Sequence, residues 1–503
     1  MKKLFVSSSL LFLAFSCQDL DLSPEGSVFA EYKTEVDAVA AISGVYSALT
    51  YEAGDIPLYG DALLYISDLS SDYMTIGAHS NSAETRNLSS AAYGADNQRI
   101  DLIWKQLYRG INRANIAIDN IPAVNAPENV KSRLINEAKF LRALYYFNAV
   151  QLFGEVPLVL HEVSHNAGLY REEVDKVYEQ IIRDLTDAEE LPTPNVDPGR
   201  ATGGAAAALL SRVYLVWASL KNPSENYGKA IEYAEKVIVS QKYELFENFF
   251  NIFDIATKNG KEHIFSAQYI VGQASATSSG NSITHCVWSS GFSNSLEPVI
   301  LISDTALFYD IYSDSDQRKS GSYAKHLYNP ATNSIFTFEK PRFRKYIDTT
   351  AVLNTSGGRP VNTPIIRYAD VLFTLAEATN ELYGPTDRAY WAINQIRRRA
   401  FRQDLDTPSG FDFKDLTKEQ FRDSLREERY KEFVTESVRW FDLVRWKIYV
   451  KSVRKTKPAA SFRNYRFPIP QKQRDVNPDG LWQNWGYSGE DSGANPYLAN
   501  GYE

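Results

Sequence analysis

Apolar side chains recurring every three to four positions between residues 101 and 241 restrict this chain to folds built from packed helices. Residues 101–121 carry Ile103, Leu107, Ile111, Ala114 and Ile118 on one face, and Pro122 closes the segment. Residues 131–153 repeat the plan with Ala138, Leu141, Ala143, Leu144 and Phe147, then stop at Gly154. Segments 171–191, 202–220 and 227–241 predict three more helices. Within GGAAAALLSRVYLVWA, the small Ala206, Ala207 and Ala208 let helix backbones approach closely, as antiparallel pairs of the tetratricopeptide (TPR) kind do. No repeat of about 34 residues recurs, so the units are TPR-like only.

From residue 259 to 362 the periodicity gives way. GQASATSSGNS and the stretch around TSGGRP read as loops, and HIFSAQYI and SIFTFEK as short strands. Loops this long in a compact chain carry function or stay unstructured. Helices are expected again at 364–383, 387–401 and 418–449, and the tail from Arg463 reads as irregular.

The first residues are an address. After Lys2 and Lys3, LFVSSSLLFLAF holds nine apolar residues in twelve, too short to span a bilayer but right for a secretory signal. It ends Ala14-Phe15-Ser16-Cys17, similar to a bacterial lipobox apart from the bulky Phe15. Cys17 is then the acylated N-terminus, anchored by about 0.8 kcal/mol per buried CH₂. The alternative is ordinary signal cleavage that leaves Cys17 a plain thiol. Residues from 18 to about 30, with Pro24 and Gly26, read as a tether. Cys286 has no second cysteine to pair with once Cys17 is acylated, so no disulfide framework exists.

Net charge is −8, from 62 acidic and 54 basic residues, which disfavours a nucleic-acid binder. It also opposes a strongly anionic glycan, except where local charge decides. The 31 Tyr, 26 Phe and 8 Trp exceed what stacking on a ligand needs, so most are core. His161-Glu162-Val163-Ser164-His165 matches the HExxH zinc pattern, which requires a helix. Here it follows Gly154 and Pro157 among β-branched Val156, Val159 and Val163, and a chance match is the expectation. No nucleophile elbow, P-loop or dinucleotide fingerprint is present, and no carboxylate pair stands out for glycoside hydrolysis.

Several stretches together resemble the SusD/RagB family. LSPEGSVFAEYKTEVDAVAAISGVYSAL is similar to its opening, IWKQLYRGINRANIAIDNIP and EAKFLRALYYFNAVQLFGEVPLV to its first helical signatures, and GRATGGAAAALLSRVYLVWA to a third. PIIRYADVLFTLAEATNE with INQIRRRA, LREERYKEFVTESVRWFDLVRW and PIPQKQRDVNPDGLWQNWGY complete the set in family order. The resemblance implies a mostly α fold, with a scaffold of TPR-like helix pairs and, on one side, long irregular loops and a few short strands. It implies a surface-exposed outer-membrane lipoprotein that binds glycan and delivers it to a SusC-like TonB-dependent transporter, with no catalytic residue, cofactor or metal. Asp19 and Asp21 behind Cys17 resemble the surface-export signal of Bacteroidetes lipoproteins. A peptide-binding RagB-type protein is the alternative, and a hydrolase or a protein-binding scaffold a more distant one. The expected division is 1–16 signal peptide, 17–30 acylated cysteine and tether, 31–240 N-terminal helical region, and 241–503 C-terminal region with a loop insertion and a TPR-like helix pair.

Ligand residues in such a protein sit on loops, so they follow from exposed rings beside hydrogen-bonding groups. Candidates are Asp72, Tyr73, His79, Asn81, Arg86 and Tyr93 in the first loop region, and His285, Trp288, Phe292 and Asn294 in the second. Trp288, flanked by Ser289, Ser290 and Gly291, is the strongest of them. Arg367 and Asp370 are spaced to pair with each other. Arg397, Arg398 and Arg399, with Glu427, Glu428, Glu432 and Glu436 interleaved among Arg426, Arg429, Lys431 and Arg439, read as an ion-pair network.

Overall fold

The computed structural model describes residues 32–50, 57–77, 82–162, 169–193, 197–220, 223–270, 281–287, 300–329, 333–347, 360–487, 496 and 500–502. Helices dominate, and the expected segments form within a few residues of their predicted ends: Gln98–Asn120, Glu128–Phe153, Val174–Ala188, Gly203–Leu220 and Pro223–Val239. Asn97 caps the first by accepting from the Arg99 amide, and Pro122 sits in the 3₁₀ turn that ends it. Gly154, at φ 76°, ends the second where a side chain would be strained.

Each of these helices packs on its sequence neighbour, and Pro223–Val239 then packs on Tyr368–Tyr383, which carries Asp387–Ala400 and Lys418–Phe433. Helices from both halves of the chain therefore share one array, and one buried apolar cluster runs from Ala38 to Leu481. The alanines of Gly203–Leu220 lie inside that array, as close helix approach requires.

Eight short strands occur among the described residues: β1 Met74–Ile76, β2 Val156–Pro157, β3 Arg171–Glu172, β4 His263–Ala267, β5 Ile300–Ile302, β6 Tyr323–Asn329, β7 Ser334–Phe343 and β8 Thr363–Arg367. They pair antiparallel as β1–β5, β2–β3, β4–β8 and β6–β7. HIFSAQYI and SIFTFEK thus do supply strands.

Three expectations need correction. Residues 364–367 are not helical, because this segment pairs with β4, and the helix begins at Tyr368. The expected helix at 418–449 breaks after Phe433 and resumes as Arg439–Arg445, with Thr435 and Ser437 at positive φ. Buried side chains from the N-terminal half stabilise that break: Tyr73 Oη accepts from the Thr435 amide at 2.9 Å, and Asp68 accepts from the Ser437 amide at 2.9 Å and the Arg439 amide at 3.2 Å. Thirdly, Arg367 and Asp370 do not pair with each other. Arg367 binds Glu262, Glu432 and Glu436 at 2.9, 2.6 and 2.8 Å, whereas Asp370 receives Arg212 and Arg429. Asp370 is held at about 2 by those guanidinium groups, against the opposing effect of its burial.

The arginine and glutamate run does form ion pairs, mostly across the fold. Arg399 reaches Glu432, Arg397 reaches Glu428, and Arg398 reaches Asp412. Arg318 closes the buried cluster against Asp316 and Glu428. Removing one partner from such a cluster would leave an uncompensated buried charge, which is strongly destabilising.

Candidate functional site

Antiparallel pairing of β1 with β5 sets Ile76 opposite Ile300. The chain leaving β1 toward His79 and Asn81 and the chain arriving at β5 from Trp288, Phe292 and Asn294 therefore meet at one end of one sheet. Two strands more than 200 residues apart in sequence thus lie side by side. His79, Asn81, Trp288, Phe292 and Asn294 themselves lie outside the described residues, as does the side chain of His285 on the short helix Ile283–Val287.

Three other candidates are placed differently from expectation. Asp72, Tyr73 and Tyr93 are buried, Tyr73 and Tyr93 completely. Asp72 holds Arg439 through two hydrogen bonds of 3.0 and 2.7 Å. The Tyr73 hydroxyl donates to Asp68 at 2.7 Å, and its ring packs edge-on to Phe343 and Tyr430. Tyr93 stacks on Phe467 with centroids 4.9 Å apart. Their burial leaves none of the three open to a ligand. Arg86 is exposed, but it lies on the helix Ala83–Ser89 and not on the loop expected for it. Burial raises the Asp68 carboxyl to about 6 despite the hydrogen bonds it accepts, and burial likewise holds the Cys286 thiol well above its usual range. Cys286 Sγ lies 3.2 Å from Tyr65 Oη, inside the core, with no disulfide partner.

Beside this sheet stands the β6–β7 hairpin. Its base, Tyr323 and Phe343, packs by Tyr73, and β7 lies against β5. Alternation puts Leu327 and Phe338 inward and His326, Tyr328, Ile335 and Thr337 outward. Register pairs Tyr328 with Ile335 and His326 with Thr337, so the four share one face. Tyr328 is 53% exposed and Ile335 69% exposed. Tyr328 Oη donates to Asn333 Oδ1 at 3.1 Å, and His326 Nδ1 lies 3.0 Å from Thr337 Oγ1. The result is a fixed ring edged by an imidazole and a hydroxyl, a surface suited to a flat ligand bearing hydroxyls. Sequence reading passed over these residues; the alternation in YAKHLYN was the available signal.

At the HExxH string, His161 and Glu162 are not helical, and His161 is an exposed side chain tied to Asp119 at 3.0 Å. The two histidines of such a motif must share a helical face; His161 and Glu162 are not in a helix, and Val163, Ser164 and His165 lie outside the described residues.

Comparison with known proteins follows the same lines. The SusD family model matches residues 286–487, and one described as starch-binding, associating with outer membrane, matches 20–215. SusD-like protein P2 of Formosa agariphila is 28% identical across 97% of this chain and all of its own. The chain belongs to the SusD family. The starch-binding protein SusD of Bacteroides thetaiotaomicron is 31% identical over a shorter stretch, 33% of this chain and 29% of its own. A crystal structure of a SusD homolog from the same species has a TM-score of 0.74 at 25% identity, covering 90% of this chain and 97% of that one. The mostly helical architecture with short antiparallel strands is the SusD-like fold.

Proposed function

We propose that this SusD-family chain is a glycan-binding protein held on the outer membrane by lipid on Cys17, that it passes its ligand to a SusC-like TonB-dependent transporter, and that it performs no catalysis. The observation that carries the reading is the exposed Tyr328 face of the β6–β7 hairpin, beside the β1–β5 sheet. A pyranose presents an apolar face of C–H bonds and an edge of hydroxyls, and Tyr328 with His326 and Thr337 offers the matching surface. The family descriptions, which name binding and outer-membrane association, support it too. His79, Asn81, Arg86, His285, Trp288, Phe292 and Asn294 remain our candidates for completing the contact surface.

Retardation of the mature protein in gels containing starch, laminarin, xylan or a galactan tests this. At least one neutral polysaccharide should slow it, and Tyr328→Ala should weaken that retardation several-fold, the loss of about 1 kcal/mol of ring contact. Release of new reducing ends from the retained polysaccharide, or retardation indifferent to Tyr328→Ala, would count against the reading.

A further inference from the structure

Three of the eleven large apolar side chains exposed among the described residues, Tyr170, Val476 and Trp482, fall on segments tied to one another. The Arg171 amide donates to the Gly480 carbonyl at 3.2 Å, and Asn477 Nδ2 donates to the Leu169 carbonyl, so residues 169–171 lie beside residues 477–482. None of these residues belongs to the hairpin or to the β1–β5 sheet. Scattered apolar side chains on a surface need no explanation, but gathered ones mark a place of contact.

Trp482 is the most firmly held of the three. The chain around it is clamped: Leu481 is buried and its carbonyl accepts from Arg474 at 3.0 Å. Gln483 exchanges hydrogen bonds of 2.7 and 2.8 Å with the Ile469 backbone, and Asn484 donates to the Phe153 and Phe467 carbonyls. The Arg171 guanidinium lies over one face of the indole, 4.9 Å from its centroid. That guanidinium cannot move aside, since its side chain is fully buried and donates to the Glu155 carbonyl at 2.8 Å, the Trp482 carbonyl at 2.6 Å and Asn484 Oδ1 at 2.6 Å. Trp482 is nonetheless 46% exposed, and neither its indole N–H nor the Tyr170 hydroxyl makes a hydrogen bond among the described residues. A flat ring fixed from behind, open in front and carrying an unused donor suits a ligand with a C–H face and hydroxyls.

We propose that Trp482, with Tyr170 on the neighbouring segment, is a second binding platform, which takes a neutral polysaccharide chain. One sugar ring stacks on the open indole face, and a hydroxyl oxygen of the next ring accepts from the N–H at the indole edge. The ligand is neutral because Glu155, 3.2 Å from Arg171, already meets the charge beneath the ring, leaving that cation unavailable to an acidic sugar. A protein partner in a stable complex covers about 800 Å² on each side, more than three partly exposed side chains supply. The choice of a glycan rests on the function proposed above, whereas the held, open indole does not.

The same gels of starch, laminarin, xylan and a galactan, run with the full mature chain, decide it. In the polysaccharide that retards the wild type most, Trp482→Ala should weaken retardation at least threefold. Trp482→Leu, which still covers Arg171 with apolar bulk but has no flat face, should lose as much while keeping its melting temperature, and Trp482→Phe should recover most of the loss. Combining Trp482→Ala with Tyr328→Ala should retain less than either change alone. Retardation that falls with Tyr328→Ala but is unmoved by Trp482→Ala and Trp482→Leu would overturn this site and leave the hairpin reading standing. No retardation of the wild type by any of the four would take down both. Self-association of the mature chain in sedimentation velocity, abolished by Trp482→Ala, would also overturn the proposal, by giving the patch to a second copy.

Discussion

Asp68 shows how a single side chain joins distant parts of the chain. It is fully buried, accepts from the Tyr73 hydroxyl, and satisfies the amides of Ser437 and Arg439 where the helix breaks and resumes. Burial raises its carboxyl from 3.8 to about 6, so the folded state favours the protonated form more than the unfolded chain does. Its contribution is therefore fully present below pH 3.8 and is lost as pH rises through about 6. Urea unfolding of the mature protein across pH 4 to 7.5 should show that decline relative to Asp68→Asn, whose side chain does not titrate. At neutral pH the same variant should itself be less stable by about 2 kcal/mol, because an amide NH₂ replaces one acceptor and confronts buried donors. A stability difference between the two proteins that stays constant across this pH range would refute the assignment. Nothing in the sequence near Asp68 announces this role. Its partners lie some 370 residues away, and the left-handed turn they stabilise has no Gly to mark it.

At the scale of elements, periodicity located most helices because the apolar repeat is local, whereas their pairing depends on contacts that no repeat encodes. Gly110 is an example. In sequence it is a weak point inside a good helix; in the fold it is where Gln98–Asn120 meets Glu128–Phe153. A Cβ there would stand 2.5 Å from the Tyr145 ring. That ring cannot retreat easily, since it is fully buried and its hydroxyl donates to the Val45 carbonyl at 2.7 Å. Gly110→Ala should destabilise by roughly 1–3 kcal/mol through overpacking, despite the better helix propensity of alanine. Thermal melting checks it, and a melting temperature at or above the wild type would show that the two helices can part at low cost. The Arg367–Asp370 expectation failed for a related reason. Spacing within one segment suggested a pair, but Arg367 belongs to β8, where three glutamates from two other segments surround it.

For the molecule as a whole, the family and the helical scaffold were legible because motifs along nearly the whole chain kept their order, while which loop side chains are exposed was not. Loop composition singled out Asp72, Tyr73 and Tyr93, which the fold buries, and passed over the exposed hairpin face, whose only signal is a short alternation of side chains. Attachment to the membrane is separable from all of this. The first described contacts of the scaffold begin at Lys33 and Thr34, where Asp37 caps the opening helix, well beyond Cys17. A protein held to the membrane by lipid alone should fold alike with or without it, and only its address should change. Acyl chains at about 0.8 kcal/mol per buried CH₂ hold firmly when more than one is present, and the acidic body gives no compensating attraction to an anionic surface. Cys17→Ala, expressed with its own signal in a bacterium that processes lipoproteins, should therefore leave the membrane pellet for the soluble fraction. Its melting temperature and its retardation by polysaccharide should match those of the lipidated protein. Persistence of Cys17→Ala in membranes washed with high salt and alkali would mean that the protein body, and not a lipid on Cys17, makes the attachment.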